Sequence, residues 1–315
     1  MADTTISQTQ ATSTETPINL VQTTGFLASL LQRYEILRGY SLLSPALLFM
    51  ALGILVPFGI LITMSFWTPA GFEFNTDFTL KNYHDAAERP IYGALVTRSL
   101  WISGMATIVT VLFCYPMAYY VAFYVHRNKM LWLILMTLPF WTSYLLRVFA
   151  WKIILGYDGL INSSLSGMGL IEQPLEFLLY SQTAVVITLT HAWAAFAILP
   201  IYVSLEKIDR SLLEAATDLG DGPWTRFFRV TLPLSLPGVM AACMLIFIPT
   251  VGDFITPALM GGPDGMMIGN LIQLQFGRAN NWPMGATLAI VMMLAVGAAA
   301  LIMYLMTELL KRKVA

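Results

Sequence analysis

The sequence predicts an all-α membrane protein of six transmembrane helices, and three observations carry that prediction. Of 315 residues, 57% are hydrophobic and only 11% are charged, against about 45–50% and about 25% in soluble domains. Apolar runs recur at about 20 residues, enough to cross about 30 Å of hydrocarbon at 1.5 Å per residue. Within them the apolar residues are continuous. That suits helices, whose backbone groups are satisfied internally, and not the alternating strands of a membrane barrel.

Residues 1–40 form a tail. Its first part is rich in Thr, Ser and Gln and carries no basic residue, which fits neither a signal peptide nor a packed element. A short amphipathic stretch near Leu20 to Leu37 is suited to lying on the membrane surface. Six spans follow, near 43–66, 95–124, 131–154, 182–205, 236–260 and 284–308, inside a membrane domain of residues 41–310. A loop at 206–235 interrupts that domain, and residues 311–315 close the chain.

Basic residues orient the spans, because they collect on the cytoplasmic side. Arg33 and Arg38 precede the first span, Arg127 and Lys129 lie in the second connection, Lys207, Arg210, Arg226 and Arg229 in the fourth, and Lys311, Arg312 and Lys313 at the end. These are 11 of the 17 Lys and Arg. Both termini and the 206–235 loop are therefore expected in the cytoplasm. Lys81, Arg89 and Arg278 fall on the other side, and Arg98, Arg147 and Lys152 fall within spans.

Some chemistry is excluded. Cys114 and Cys243 sit singly in spans, where they act as small apolar residues. His84, His126 and His191 are far apart and show no ligand spacing. No lysine follows a glycine anywhere in the chain, so the phosphate-cradling G-x-x-x-x-G-K-[ST] loop is missing. Nucleotide, if it powers this protein, binds to another chain, and nothing points to nucleic acid.

The most informative segment is LEKIDRSLLEAATDLGDGPWTRFFRVTLPLSLPG, between spans four and five. Ser211 and Glu214 have the spacing of a capping box. Gly220 supplies a left-handed helix end, and Gly222 with Pro223 opposes resumption. Leu212, Leu213, Ala216 and Leu219 make an apolar stripe about two turns long. So short a helix is unstable alone, and the stripe packs either on the underside of the bundle or in a groove of a second protein.

Glu214, Ala215 and Ala216, then Gly220, then Val230-Thr231-Leu232-Pro233, form the pattern EAA-x3-G-x9-V-x-LP. It resembles the coupling loop of permease subunits of type I ABC importers. From average residue frequencies E-A-A-x3-G arises by chance about once per hundred chains of this length. The resemblance spans about residues 40 to 310 and is finest to the polyamine (putrescine/spermidine) importer permeases, through LPFWTSYLLRVFAW at 138–151, FIPTVGDFITPALMGGPDGMMIGNLI at 247–272 and NNWPMG at 280–285. It implies a six-helix fold with a cytoplasmic coupling helix formed by Ser211, Leu212, Leu213, Glu214, Ala215, Ala216, Leu219 and Gly220. It also implies a non-catalytic subunit in the bacterial inner membrane, surrounded by lipid, that forms half of a translocation path with a second, similar permease. A cytoplasmic ABC ATPase dimer would bind ATP and Mg, with no cofactor on this chain, and an extracytoplasmic solute-binding protein would deliver the cargo. Acidic residues in the outer connections at 67–94, 155–181 and 261–283 are suited to a basic docking rim or to plain solvation.

Ionisable residues within spans mark candidate path residues, because each costs about 2.5–3.5 kcal/mol at a helix centre. Arg147 and Asp253 both lie about 24–26 Å along their spans, toward the outer face. Asp253 either attracts a cationic cargo or pairs with Arg147, with neither touching cargo. Trp141 and Tyr144 are three apart, and Arg147 and Trp151 continue that helical face, suited to cation–π contact with an ammonium or to packing. His191 is expected as a satisfied polar group between helices.

Two functions compete. One is the ATP-driven permease, for a polyamine or for another small organic cation or amino-acid conjugate. The other is a self-sufficient secondary transporter in which Asp253 and His191 couple ion flow to cargo; the inverted repeats common in such transporters are not visible here. A channel lacks a filter segment.

Overall fold

The computed structural model describes residues 35–70 and 73–314. The expected surface stretch near Leu20 to Leu37 lies almost wholly outside them. The chain divides into two compact units, Met1–Phe58 and Gly59–Ala315. In the first unit the described residues are helical, and their helix, α1 (Glu35–Ser65), continues into the second.

The second unit continues with a two-stranded antiparallel hairpin, β1 (Thr68–Ala70) and β2 (Glu73–Asn75), in which Thr68 faces Asn75. Next come α2 (Lys81–Glu88), α3 (Pro90–Phe123), α4 (Lys129–Thr137), α5 (Tyr144–Ile154), α6 (Leu160–Gly167), α7 (Gln182–Glu206), α8 (Arg210–Asp218) and α9 (Pro223–Arg226). The chain then forms α10 (Leu232–Val251), α11 (Ile268–Phe276) and α12 (Trp282–Val314). A π turn at Phe227–Thr231 joins α9 to α10, so that Pro223–Val251 runs as one long helical span. This wide turn ends just before Pro233, whose missing N–H would in any case break the regular ladder.

Among the described residues five helices are long and apolar enough to cross a membrane. A sixth crossing arises only if the two arms Lys129–Trp141 and Tyr144–Ile154, bent by 84° at Thr142-Ser143, are counted as one. This corrects the continuous third span. Pro139 in the 3-10 turn Leu138–Trp141 removes a backbone donor, and Thr142 turns extended. The fifth span is also corrected. Its helix begins earlier, at Pro223, and ends at Val251, leaving Gly252 and Asp253 outside regular structure before a second π turn at Pro257–Gly261.

Helices α3, α7 and α10 pack on one another and make the core of this unit. Their contact is close because small residues line it: Ala118 and Ala122, Ala197, Ala242 and Gly238. A Cβ added at Gly238 would lie 2.3 Å from the Ser204 Cβ and 2.5 Å from the Pro200 carbonyl oxygen, so glycine is what lets α7 and α10 meet. In lipid, association relies on this close packing and on satisfied polar groups. Buried Thr107, Thr110 and Thr250 donate to carbonyls one turn back at 2.6–2.8 Å, and Tyr115 on α3 bonds Ser235 on α10 at 2.8 Å. A second cluster joins Tyr92 and Leu95 of α3, Phe247 and Val251 of α10, Ile268 of α11 and Leu288 of α12.

Candidate functional site

Two regions carry the candidate residues, at opposite ends of the Pro223–Val251 span. At the first, α8 is a nine-residue helix with both ends fixed. Its N-cap is Asp209, whose carboxylate accepts the Ser211 amide at 3.0 Å. The expected capping box of Ser211 and Glu214 is not formed. Helix begins one residue earlier, at Arg210, so Ser211 is already inside the first turn and Asp209 holds the cap position. The same Ser211 amide and hydroxyl hold the Asp209 carboxyl below its usual range.

The C-terminus matches expectation closely. Gly220 has φ +90°, the Gly220 amide donates to Thr217 O at 2.9 Å, and the Asp221 amide to Ala216 O at 3.0 Å. This pair of bonds is the Schellman ending. Gly222 and Pro223 do more than stop the helix, since Gly222 caps α9 and Pro223 opens it.

The apolar stripe of α8 splits. Ala216 is 7% exposed and Leu213 half-buried, so they pack on the unit, whereas Leu212, Glu214 and Ala215 face out and Leu219 is 87% exposed. Trp224, 77% exposed, lies on the adjoining α9. Two contacts tie α8 and its C-cap to the base of the long span: Arg226 donates to the Thr217 hydroxyl at 2.7 Å, and Arg229 pairs with Asp221 at 3.3 Å. Nearby, Lys129 bonds both carboxylate oxygens of Glu206 at 2.8 and 2.9 Å and the Ala122 carbonyl at 3.0 Å, fastening α4, α7 and α3. Sequence spacing gave no signal for these pairings, which are made across elements.

At the other end of the span, Phe140, Tyr144, Arg147, Ala192, Trp193, Phe196 and Asp253 line a cavity of about 410 Å³. Arg147 and Asp253 thus share one site, as their similar depth suggests, yet among the described residues no ion pair joins them. Arg147 is 8% exposed and donates to the Ala192 carbonyl at 2.8 Å, its guanidinium lying 4.6 Å from the Phe140 ring centre and 5.7 Å from that of Tyr144. Its Nε is buried with no hydrogen-bond partner. Asp253 instead accepts from the Tyr144 hydroxyl at 2.5 Å and, on its other oxygen, from the Ile255 amide at 2.9 Å. The Tyr144 hydroxyl also bonds Thr256 Oγ1 at 2.7 Å.

The helix break explains which aromatics converge. Trp141 ends the arm before the bend, is 82% exposed and does not line the cavity. The expected shared face from Trp141 to Trp151 is therefore interrupted, and Phe140 takes the place beside Arg147. Trp151 packs against His191 at 5.5 Å between ring centres. His191 is exposed and not sequestered between helices of this unit.

Close backbone approach builds the Asp253 segment. A Cβ on Gly269 would lie 2.9 Å from Asp253 O and 3.0 Å from Gly252 O, and Asn270 donates to Phe254 O at 2.7 Å. Thr256, Phe140 and Gly269 are thus site residues that the sequence left unmarked.

Comparison with known proteins agrees with this architecture. The family described as binding-protein-dependent transport system inner membrane component matches residues 23–315. The chain is 37% identical over 262 residues to the spermidine/putrescine transport system permease protein PotB of Haemophilus influenzae, covering 83% of this chain and 91% of that one. It is 36% identical over 237 residues to the protein of the same name in Escherichia coli K12, covering 75% and 86%. It is 34% identical to the E. coli inner membrane ABC transporter permease protein YdcU, covering 75% and 80%. A solved chain of a bacterial ABC transporter involved in the import of the acidic polysaccharide alginate superposes with a TM-score of 0.66 at 16% identity, covering 90% of this chain and 98% of that one. At that identity the likeness is one of fold. Matched along nearly its whole length, the chain belongs to the family of binding-protein-dependent transport system inner membrane components.

Proposed function

We propose that this chain is the membrane subunit forming half of the translocation path of an ATP-driven importer, and that its cargo is a polyamine such as putrescine or spermidine. One observation carries the mechanism: a single span, Pro223–Val251, is clamped at its base to α8 and leads at its other end to Asp253. At 1.5 Å per residue its 29 residues reach about 43 Å, so a shift of α8 is delivered across the membrane as a rigid-body movement.

In this reading Leu212, Glu214, Ala215 and Leu219 dock on a cytoplasmic ABC ATPase, a dimer that binds ATP and Mg, and both termini lie on that side. Exposed apolar side chains beside a capped helix support a helix-in-groove contact. A second, similar permease completes the path, lipid surrounds the pair, and a solute-binding protein delivers cargo from outside. Asp253 supplies negative charge for an ammonium, and Tyr144, Phe140 and Phe196 supply faces for the methylene chain. The spermidine/putrescine relatives support the polyamine choice.

The test is uptake of labelled spermidine into vesicles holding the assembled transporter. Uptake that requires ATP and the ATPase is expected. Uptake driven by an ion gradient without the ATPase would establish the secondary-transporter alternative instead.

A further inference from the structure

We propose that the Tyr144 hydroxyl competes with the cargo's ammonium group for Asp253, and so lowers the affinity of the path for its cargo. This rests on the reading of the cavity as the cargo path. An ionised carboxylate is an acceptor only, with about four lone-pair sites. On Asp253 each oxygen already holds one donor, the Ile255 amide on one and Tyr144 on the other, so an ammonium seated squarely on the Tyr144 oxygen meets the phenol there. A phenol has one proton, so Tyr144 gives it to Asp253 and accepts from Thr256 in turn. The resulting chain, Thr256 to Tyr144 to Asp253, polarises each bond in the direction that strengthens the last.

The geometry suits a displaceable contact. Tyr144 is the first residue of α5, directly after the 84° bend, and Asp253 lies in the unwound segment after Val251. The bond therefore joins two breaks in helical structure, where rotation about a few backbone angles can separate the partners. An ammonium brings a full charge and three donors, so to the charge-assisted kind of bond that the phenol also makes it adds the direct attraction of opposite charges. A neutral amide or hydroxyl gains nothing over the phenol it would replace. Tyr144 thus yields to a charged end and not to a neutral one.

The experiment uses the full transporter in vesicles, with spermidine as the probe and kcat read separately from KM. Tyr144→Phe removes the competitor and keeps the ring. A hydrogen bond to a charged group is worth enough that spermidine KM should fall about ten-fold. Thr256→Ala, which removes the hydroxyl supporting Tyr144, should act in the same direction by less. In an Asp253→Asn background Tyr144→Phe should have no further effect on KM. If Asp253→Asn raises spermidine KM but neither Tyr144→Phe nor Thr256→Ala lowers it, the competition is overturned while the path reading stands. If Asp253→Asn leaves KM unchanged, the path reading fails and takes this proposal with it.

Discussion

Replacing Gly220 tests whether the fixed end of α8 transmits work. Gly220 has φ +90°, and a Cβ there would meet nothing within 4 Å. Substitution therefore introduces no clash, and its whole cost is backbone conformation, about 1–2 kcal/mol for an ordinary L-residue. That cost falls on the two bonds that close the helix, Gly220 N–H to Thr217 O and Asp221 N–H to Ala216 O. A penalty of about 1–2 kcal/mol multiplies the open fraction of this turn by roughly 5–30. Asn tolerates left-handed backbone where Ala and Val do not. Expected uptake of labelled spermidine in ATP-loaded vesicles therefore falls in the order Gly, Asn, Ala, Val, with Asn near the parent and Ala several-fold lower. ATP hydrolysed per molecule imported should rise in the same order. Amide exchange at positions 220 and 221 provides the structural check, since it should accelerate by the same factor in the Ala variant. If exchange accelerates and uptake does not change, α8 needs no fixed end and the transmission argument is refuted.

Further perturbations address the rest of the assembly. Gly238→Ala places a methyl 2.3 Å from Ser204 Cβ and should destabilise the α7–α10 contact by about 1–3 kcal/mol, seen as a lower melting temperature in detergent. Glu214→Ala removes a side chain exposed on α8; membrane insertion should persist while ATP-driven uptake falls, and undiminished uptake would count against docking at this residue. Lys129→Ala breaks the pair with Glu206, whose partners are 22% and 41% exposed, and should cost at most about 1 kcal/mol in melting experiments after solvent screening. The Asp209 carboxyl is depressed by its bond to Ser211, so its cap is fully present above the ordinary carboxyl range and is lost as pH falls through the lowered value. A carboxyl titration by NMR should show the low midpoint, and Asp209→Asn should keep more of the helix than Asp209→Ala.

Much of the architecture was legible because membrane helices announce themselves by length and apolarity. The span at Gln182–Glu206 began where its apolar run began, and the helix at Trp282–Val314 began two residues ahead of its run. Among the boundaries that were not legible, proline explains two. Pro139 lies in an unbroken apolar run, so hydropathy alone reads through the 84° bend that follows. Pro223 looks like a terminator after Gly222, but at the first helical position its missing N–H costs nothing, and it starts the long span. The Ser211–Glu214 spacing misled for a related reason. Capping depends on which residue lies just outside the helix, and Asp209, one position before Arg210, had the better claim.

The cavity shows where sequence distance stops being informative. Depth along two spans brought Arg147 and Asp253 to one level, which was correct, but opposite charge at equal depth did not make a pair. Each group found a nearer partner that charge counting overlooks: a carbonyl on α7 for the arginine, and a phenol on the next helical turn from it for the aspartate. A mutually neutralised pair would have left the cavity without accessible charge. Kept apart, the aspartate is held by neutral donors only, which lack the opposite charge that a cation brings to it. The two helix breaks are what make this arrangement possible. Without the bend before Tyr144 and the unwound turn at Gly252-Asp253, both side chains would sit on regular helices, and the exchange of phenol for ammonium would require moving whole spans rather than a few backbone angles.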